Sequence, residues 1–199
     1  MMDLTEASLV KLAKHFYPTG YLVRNDDYDS EGLLPHQRTP EHGRWREAWD
    51  KAMDWPAWQA LRQEIKRALP VYADCTQPWS SSCRRCCVYV ERPLSDGAIH
   101  LTRIAAAASV LAPLYLIYCT TDVMVGKRSQ EHRFLLEVPE DVKHQAATLG
   151  GLVERVLGYQ AFPLQFAQVW VPGIRIRNGD GEGATLLDAL FADDLDSLF

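Results

Sequence analysis

Apolar residues recur at helical spacing in the first third of the chain. They predict an amphipathic helix from Asp3 to Tyr17, which the run Pro18-Thr19-Gly20 ends. A second helical region begins near Glu41. Pro56 then lies in the first turn of a further helix, for which Asp54 is the expected N-terminal cap, because its carboxylate can accept hydrogen bonds from the amides of that turn.

Three tryptophans fall on the apolar faces of these two helices. Trp45 and Trp49 are one helical turn apart, and Trp58 begins a stripe that Leu61 and Ile65 continue. Large aromatic side chains contribute much of the area that protein cores bury. We therefore expect the three tryptophans to belong to the core rather than to form a platform for a ligand.

The middle of the chain alternates short apolar runs with turn signals, which is the pattern of a sheet. The runs are rich in β-branched, aromatic and leucine residues. They are Val71 to Ala73, Cys86 to Glu91, His100 to Ile104, Leu114 to Thr120 and Arg133 to Val138. The run from Ala105 to Ala108 is compatible with a helix or a strand.

A further helical pattern runs from Pro139 to Leu157, and a short helix is predicted from Thr185 to Phe191. Gly150 and Gly151 lie inside the longer one, where each glycine costs about 1 kcal/mol relative to alanine. They indicate a kink, a break or a close backbone contact. Together the elements predict an α+β fold with a mainly antiparallel, four- to five-stranded sheet and helices packed on it, in one domain over residues 1–199.

The charge of the chain is concentrated at one end. The formal net charge is −5, and residues 178–199 hold six carboxylates with no Lys or Arg. The rest of the chain is therefore close to neutral. Direct binding of nucleic acid is disfavoured, because phosphate contacts need clustered Lys and Arg. A basic protein partner fits this distribution better.

Composition and thiol content favour a cytoplasmic protein. The N-terminus lacks the basic start and apolar run of a secretory signal. The most apolar stretch, Ile104 to Tyr118, is too short to span a bilayer, which takes about 20 residues. An odd number of cysteines, five, indicates reduced thiols. We therefore expect no membrane association.

Cysteine and histidine positions give only weak motifs for chemistry. Cys83-Arg84-Arg85-Cys86 has C-x-x-C spacing, but a structural zinc site needs four ligands and no second pair of this kind occurs. Cys75, with His100 or His132, could complete a site. A redox role is also disfavoured, because the motif leads into a strand. No residue stands in a motif of nucleophilic catalysis, so we expect no catalytic residue, metal or cofactor.

Two acidic loops and the acidic end of the chain are the candidate contact regions. The loop from Asp26 to Glu31 has three possible interpretations: a weak calcium site, a solvated loop or a partner surface. The loop from Gly179 to Gly183 has the glycines of a phosphate loop, but its two carboxylates would repel phosphate. The end, from Leu190 to Phe199, mixes acids with large apolar residues. It either docks on its own core or enters a basic groove of a partner.

The stretch Val171-Pro172-Gly173-Ile174-x-Ile176-x-Asn178-Gly179, with Gly183-Ala184-Thr185-Leu186-Leu187-Asp188-Ala189-Leu190-Phe191 after it, resembles a known signature. It is similar to the C-terminal part of bacterial polymorphic-toxin immunity proteins, above all immunity protein family 52. Tyr21 to Tyr28 and Arg44 to Trp58 are more weakly similar. The resemblance implies a non-enzymatic α+β protein that binds a cognate restriction-endonuclease-like toxin in the cytoplasm. Some such toxins are type VI secretion effectors.

We therefore interpret the chain as an immunity protein that binds and neutralises a basic nuclease toxin, a DNase. A DNA-cleaving toxin needs a basic groove, and an acidic inhibitor can occupy or cover it. Two alternatives are a cysteine- or metal-dependent hydrolase and an adaptor protein of a secretion system. The predicted partner contacts are Asp26, Asp27, Asp29, Glu31, Asp180, Glu182, Asp193, Asp194 and Asp196.

Overall fold

The computed structural model describes residues 4–20, 32–69, 71–95, 97–174, 176 and 183–198. Five α-helices lie in these ranges: α1 (Glu6–Phe16), α2 (Pro40–Met53), α3 (Pro56–Ala68), α4 (Lys143–Leu157) and α5 (Leu186–Leu190). None of them is long and apolar enough to cross a membrane.

The beginnings of the first three helices follow capping rules, with one exception to our expectation. The Thr5 hydroxyl caps α1, and the Thr39 hydroxyl caps α2 by accepting from the amide of His42 at 3.2 Å. The expected cap at Asp54 is wrong, because Asp54 is the C-terminal cap of α2 and Trp55 precedes α3. Pro56 at the first helical position needs no amide partner, which lets α3 begin without a capping side chain.

The main sheet is antiparallel along β1 (Tyr72–Asp74), β2 (Cys83–Pro93), β3 (Ile99–Ser109), β4 (Leu114–Val125) and β5 (Arg128–Leu135), in that order. A short strand, β6 (Gln160–Ala161), pairs with β4 in parallel. A separate ribbon joins β7 (Trp170–Pro172) to β8 (Gly183–Thr185). The predicted α+β class with a mainly antiparallel sheet is confirmed.

The strands are longer than their apolar runs. Ala105 to Ala108 belongs to β3, where both neighbouring strands pair with it. β5 begins at Arg128, five residues before the predicted start, and ends at Leu135. Its first six residues are exposed and polar because they form the edge of the sheet, where charged side chains discourage pairing with other chains.

The sheet is covered on both faces, which divides the core in two. On the face we call the α1 face, Cys83, Cys87, Ala105 and Tyr118 pack against α1 and the C-terminal residues. The opposite face, here the α4 face, packs against α3 and α4. Its sheet residues include Cys86, Val88, Ile104, Ala106 and Tyr115.

Helix α4 is continuous through Gly150 and Gly151 and comes close to the sheet at the first of them. A Cβ on Gly150 would lie 3.3 Å from the hydroxyl oxygen of Tyr115, and that hydroxyl donates to Glu154 at 2.7 Å. A Cβ on Gly151 would meet nothing within 4 Å. Of the three interpretations of this pair, the structure therefore shows the close contact, at Gly150.

This difference predicts that alanine substitutions at the two neighbouring glycines change the free energy of unfolding differently. Gly151→Ala is expected to raise the free energy of unfolding by about 0.5–1 kcal/mol, because alanine loses less backbone entropy in a helix. Gly150→Ala gains the same preference but crowds the hydrogen-bonded Tyr115 hydroxyl, which must shift slightly, so it should stabilise less or destabilise. Urea unfolding of both variants measures this. Equal stabilisation by the two would contradict the close contact.

Candidate protein-binding surface

Residues 183–198, which we call the C-terminal segment, are fixed on the α1 face by their apolar side chains. At its start the Thr185 hydroxyl accepts from the amide of Asp188, whose carboxylate accepts from the amide of Thr185 at 2.9 Å. Asp188 is therefore a capping residue of α5. The large apolar residues that the segment buries are Leu186, Leu187, Leu190, Phe191, Leu195 and Leu198.

Polar contacts tie the C-terminal segment to the start of β2 and the end of α1. The amide of Ser82 donates to the carbonyl of Phe191 at 2.7 Å. The Tyr17 hydroxyl donates to the carbonyl of Ala189 at 2.9 Å and also bonds the Ser82 hydroxyl. The apolar side chains of this end therefore complete the protein's own core, as the first of our two interpretations of the tail expected.

Arg85 anchors the acidic part of the segment from inside the sheet. Its side chain is fully buried, at 0% exposure. Its Nη1 donates to the backbone carbonyl of Asp194 at 3.0 Å and lies 3.4 Å from the Asp194 carboxylate. Ala105 and Ala107, the small residues of β3, lie between Arg85 on β2 and Tyr118 on β4, so the guanidinium has room to lie over the middle of the sheet.

The predicted contact residues fall into two groups. Those outside the described residues are Asp26, Asp27, Asp29, Glu31, Asp180 and Glu182. Of the others, Asp196 is exposed and Asp193 is half-buried. Burial raises the pKa of the Tyr17 hydroxyl, and the negative charge of Asp193 is close enough to contribute to the rise. Asp194 faces Arg85, which gives it an internal partner that the sequence did not indicate.

A second feature is a group of aromatic rings at the end of the sheet where β2 begins. We call this group the aromatic patch, and its members are His36, His42, Trp45 and Trp79. The His42 ring stacks on Trp45 with centroids 5.6 Å apart, and His36 meets His42 edge-on at 5.5 Å. Trp79 contacts Trp45 at 6.2 Å. Beneath them lies Trp49, which is fully buried. The core assignment is thus confirmed for Trp49 and Trp58, whereas Trp45 stays partly exposed.

Trp79 sits in a backbone conformation that tryptophan rarely adopts. Its φ is +67°, and it is the one non-glycine residue with positive φ in the described ranges. Pro78 and Trp79 are the central residues of a turn in which the Ser80 amide donates to the Gln77 carbonyl at 3.3 Å. Positive φ at the second central position is what a type II turn requires, and Gly or Asn usually meets it. Trp79 is 41% exposed.

Ser82 joins the aromatic patch to the C-terminal segment. The Trp45 indole donates to the Ser82 hydroxyl at 3.0 Å, while the Ser82 amide donates to Phe191. Tyr17 reaches the same hydroxyl. One end of the sheet therefore holds the aromatic patch next to the acidic C-terminal segment, and aromatic and charged residues are typical of the centre and rim of protein interfaces.

A buried ion pair on the α1 face lies nearer the opposite end of the sheet. The Asp122 carboxylate accepts from Arg103, from the Ser129 hydroxyl at 2.6 Å and from the His132 ring at 3.1 Å. Burial acts to raise the pKa of Asp122, but these hydrogen bonds outweigh it and lower the pKa below its usual value. The register of β3, β4 and β5 brings the four residues together, so their spacing along the chain gave no signal.

The two cysteines of the C-x-x-C motif lie on opposite faces of the sheet. Cys83 faces the α1 side and Cys86 the α4 side, so the C-x-x-C pair cannot bind one ion together. Burial raises the pKa of the Cys83 thiol to about 12. A hydrogen bond from the Cys75 thiol lowers the pKa of Cys87, but both side chains are buried. Within the described ranges no group of three His, Cys, Asp or Glu residues could hold a metal ion.

No family of known proteins matches this chain, and no match was found among the curated proteins or among the solved structures.

The Arg85–Asp194 contact predicts a stability defect with a specific repair. Asp194→Ala should lower the free energy of unfolding by about 3 kcal/mol, because it leaves a guanidinium buried without its counter-charge. Arg85→Met in the same chain removes that charge and should recover part of the loss. Urea unfolding of the two single variants and the double variant gives the coupling. An Asp194→Ala protein as stable as the wild type would contradict it.

His42 predicts a pH dependence of stability. Burial, followed by the charges of His36 and Arg46, lowers the pKa of His42 from its usual value of 6.5 to about 4. Between pH 4 and pH 6.5 the unfolded chain binds more protons at His42 than the folded protein does. The stability that neutral His42 contributes is therefore complete above pH 6.5 and is lost as the pH falls towards 4. His42→Gln should flatten unfolding midpoints measured from pH 7 to pH 4.5. His144→Gln, at an exposed position of α4, is the control and should keep the wild-type slope.

Proposed function

We propose that this chain is a non-catalytic protein that binds a basic nuclease toxin and neutralises it, as immunity proteins do. The observation that carries the proposal is the acidic end of the chain: six carboxylates and no Lys or Arg in residues 178–199, against a formal net charge of −5 for the whole protein. The negative charge of this segment attracts cationic proteins and repels nucleic acid.

The way this end is fixed supports a role in tight binding. Phe191, Leu195 and Leu198 are buried, and Asp194 is held at Arg85. Asp193 and Asp196 therefore stand on a segment whose order is already established in the free protein. A pre-ordered surface loses little conformational entropy on binding, so more of the contact energy appears as affinity.

A DNase gives such a surface a suitable target. Its substrate groove must carry Lys and Arg to bind the phosphates of DNA. Carboxylates that enter or cover that groove compete with the substrate and speed association by long-range attraction. The resemblance of residues 171–191 to immunity protein family 52 points to the same class of partner. Action in the cytoplasm on a type VI secretion effector belongs to this proposal.

Co-expression tests it directly. Cells that produce the nuclease encoded beside this chain should survive when they also produce the wild-type protein. Asp193→Lys and Asp196→Lys should each weaken binding of the purified nuclease by about tenfold or more, because each replaces an attraction by a repulsion. Titration calorimetry at low and high salt measures the loss, which should shrink as salt screens the charges.

Glu91→Lys is the matched control, since Glu91 is exposed at the end of β2 opposite Ser82. It reverses one charge outside the proposed surface and should leave affinity unchanged. Asp194 is unsuitable for charge reversal because the change would disturb Arg85. The proposal is wrong if the wild-type protein neither binds the nuclease nor protects the cells.

A further inference from the structure

We propose that the aromatic patch is the docking point for an arginine side chain of the partner, with Trp79 as the residue that stacks on it and the acidic C-terminal segment beside it. This inference rests on the proposed function, because it names where a basic partner is held. The inference adds the aromatic patch to the proposed binding surface. None of the predicted contact residues lies in this patch.

The first support is the exposure of a strained aromatic side chain. Trp79 is 41% exposed at φ +67°, although Gly or Asn would fit this turn position without strain. Trp49 lies below the ring and is fully buried, so Trp79 is the outer ring of this stack. A costly conformation that keeps a large ring at the surface is a feature of binding sites.

The second support is the rigidity of the ring. The Trp79 ring packs on two others: its centroid lies 6.2 Å from that of Trp45 and 5.8 Å from that of Trp49. Trp45 is itself fixed by the hydrogen bond from its indole to Ser82. Tryptophans held this way lose little freedom on binding, which is why Trp is enriched among the residues that contribute most to interface affinity.

The third support is charge. The faces of indole rings attract cations, and arginine stacks on them best. Ser82, which bonds Trp45, also bonds Phe191, two residues before Asp193, so the patch and the Asp193 part of the C-terminal segment share one end of the sheet. Arg46 is exposed on α2, and its positive charge already disfavours a second cation at His42. We therefore place the guanidinium over Trp79 rather than over His42.

Trp79→Gly is the variant that tests the idea, because glycine adopts positive φ freely. Relief of the strained conformation offsets the lost ring contacts, so the midpoint of thermal unfolding should stay within about 3 °C of the wild type. Affinity for the catalytically inactivated nuclease encoded beside this chain should fall by about 30-fold or more, as for a residue central to an interface. Val125→Ser, exposed at the far end of the sheet, should bind like the wild type.

A second probe separates this inference from the proposed function. A peptide of nine arginines should shift the indole N–H signals of the wild-type protein in ¹H–¹⁵N spectra at low salt, and a peptide of nine glutamates should not. The shift of the Trp45 indole signal should vanish in Trp79→Gly, which keeps that indole but lacks the ring proposed to hold the guanidinium.

The outcomes are then distinct. If the nuclease fails to bind but the arginine peptide shifts the indole signals, the inference stands and the proposed partner is wrong. If the nuclease binds wild type and Trp79→Gly equally, the inference is overturned and the proposed function stands. A peptide that leaves the indole signals in place also overturns the inference.

Discussion

A guanidinium buried in the sheet organises the surface at one end of this protein. Arg85 enters the α1 face from β2, beside Ala107 of β3 and below the C-terminal segment, and Asp194 supplies its counter-charge. A buried charge of this kind is tolerated only when an opposite charge or hydrogen bonds compensate it. The acidic end of the chain is therefore bound to the sheet electrostatically as well as by its apolar side chains, and its remaining carboxylates stand at fixed positions.

The same pair shows what the sequence could and could not predict. Helical spacing placed α1 to α4, and β-rich runs placed the middle strands, because each pattern depends on neighbours along the chain. The start of β2 has no such pattern. Arg84 and Arg85 are both buried on opposite faces, where Arg84 donates to the Ala52 carbonyl and lies over Trp58. Alternation of apolar and polar residues fails wherever both faces are covered and arginines are buried in them.

The candidate surface was predictable only in part. Clustered acids are visible in any sequence, so Asp193 and Asp196 could be named, but the partner of Asp194 is an arginine 109 positions away. Trp79 follows Pro78 in what reads as an ordinary turn. Its positive φ and its contacts with Trp45 and Trp49 arise when α2 and the β1–β2 connection meet. Tertiary packing creates such features, and local spacing cannot encode them.

Under the proposed function, the two halves of the surface divide the work of binding. Carboxylates act over a distance of about 8–10 Å at physiological salt, so they raise the rate of encounter with a cationic partner. A rigid indole acts only on contact, where it excludes water and lengthens the life of the complex. Because Ser82 bonds both the aromatic patch and the C-terminal segment, a partner drawn in by the carboxylates arrives next to the ring that can retain it.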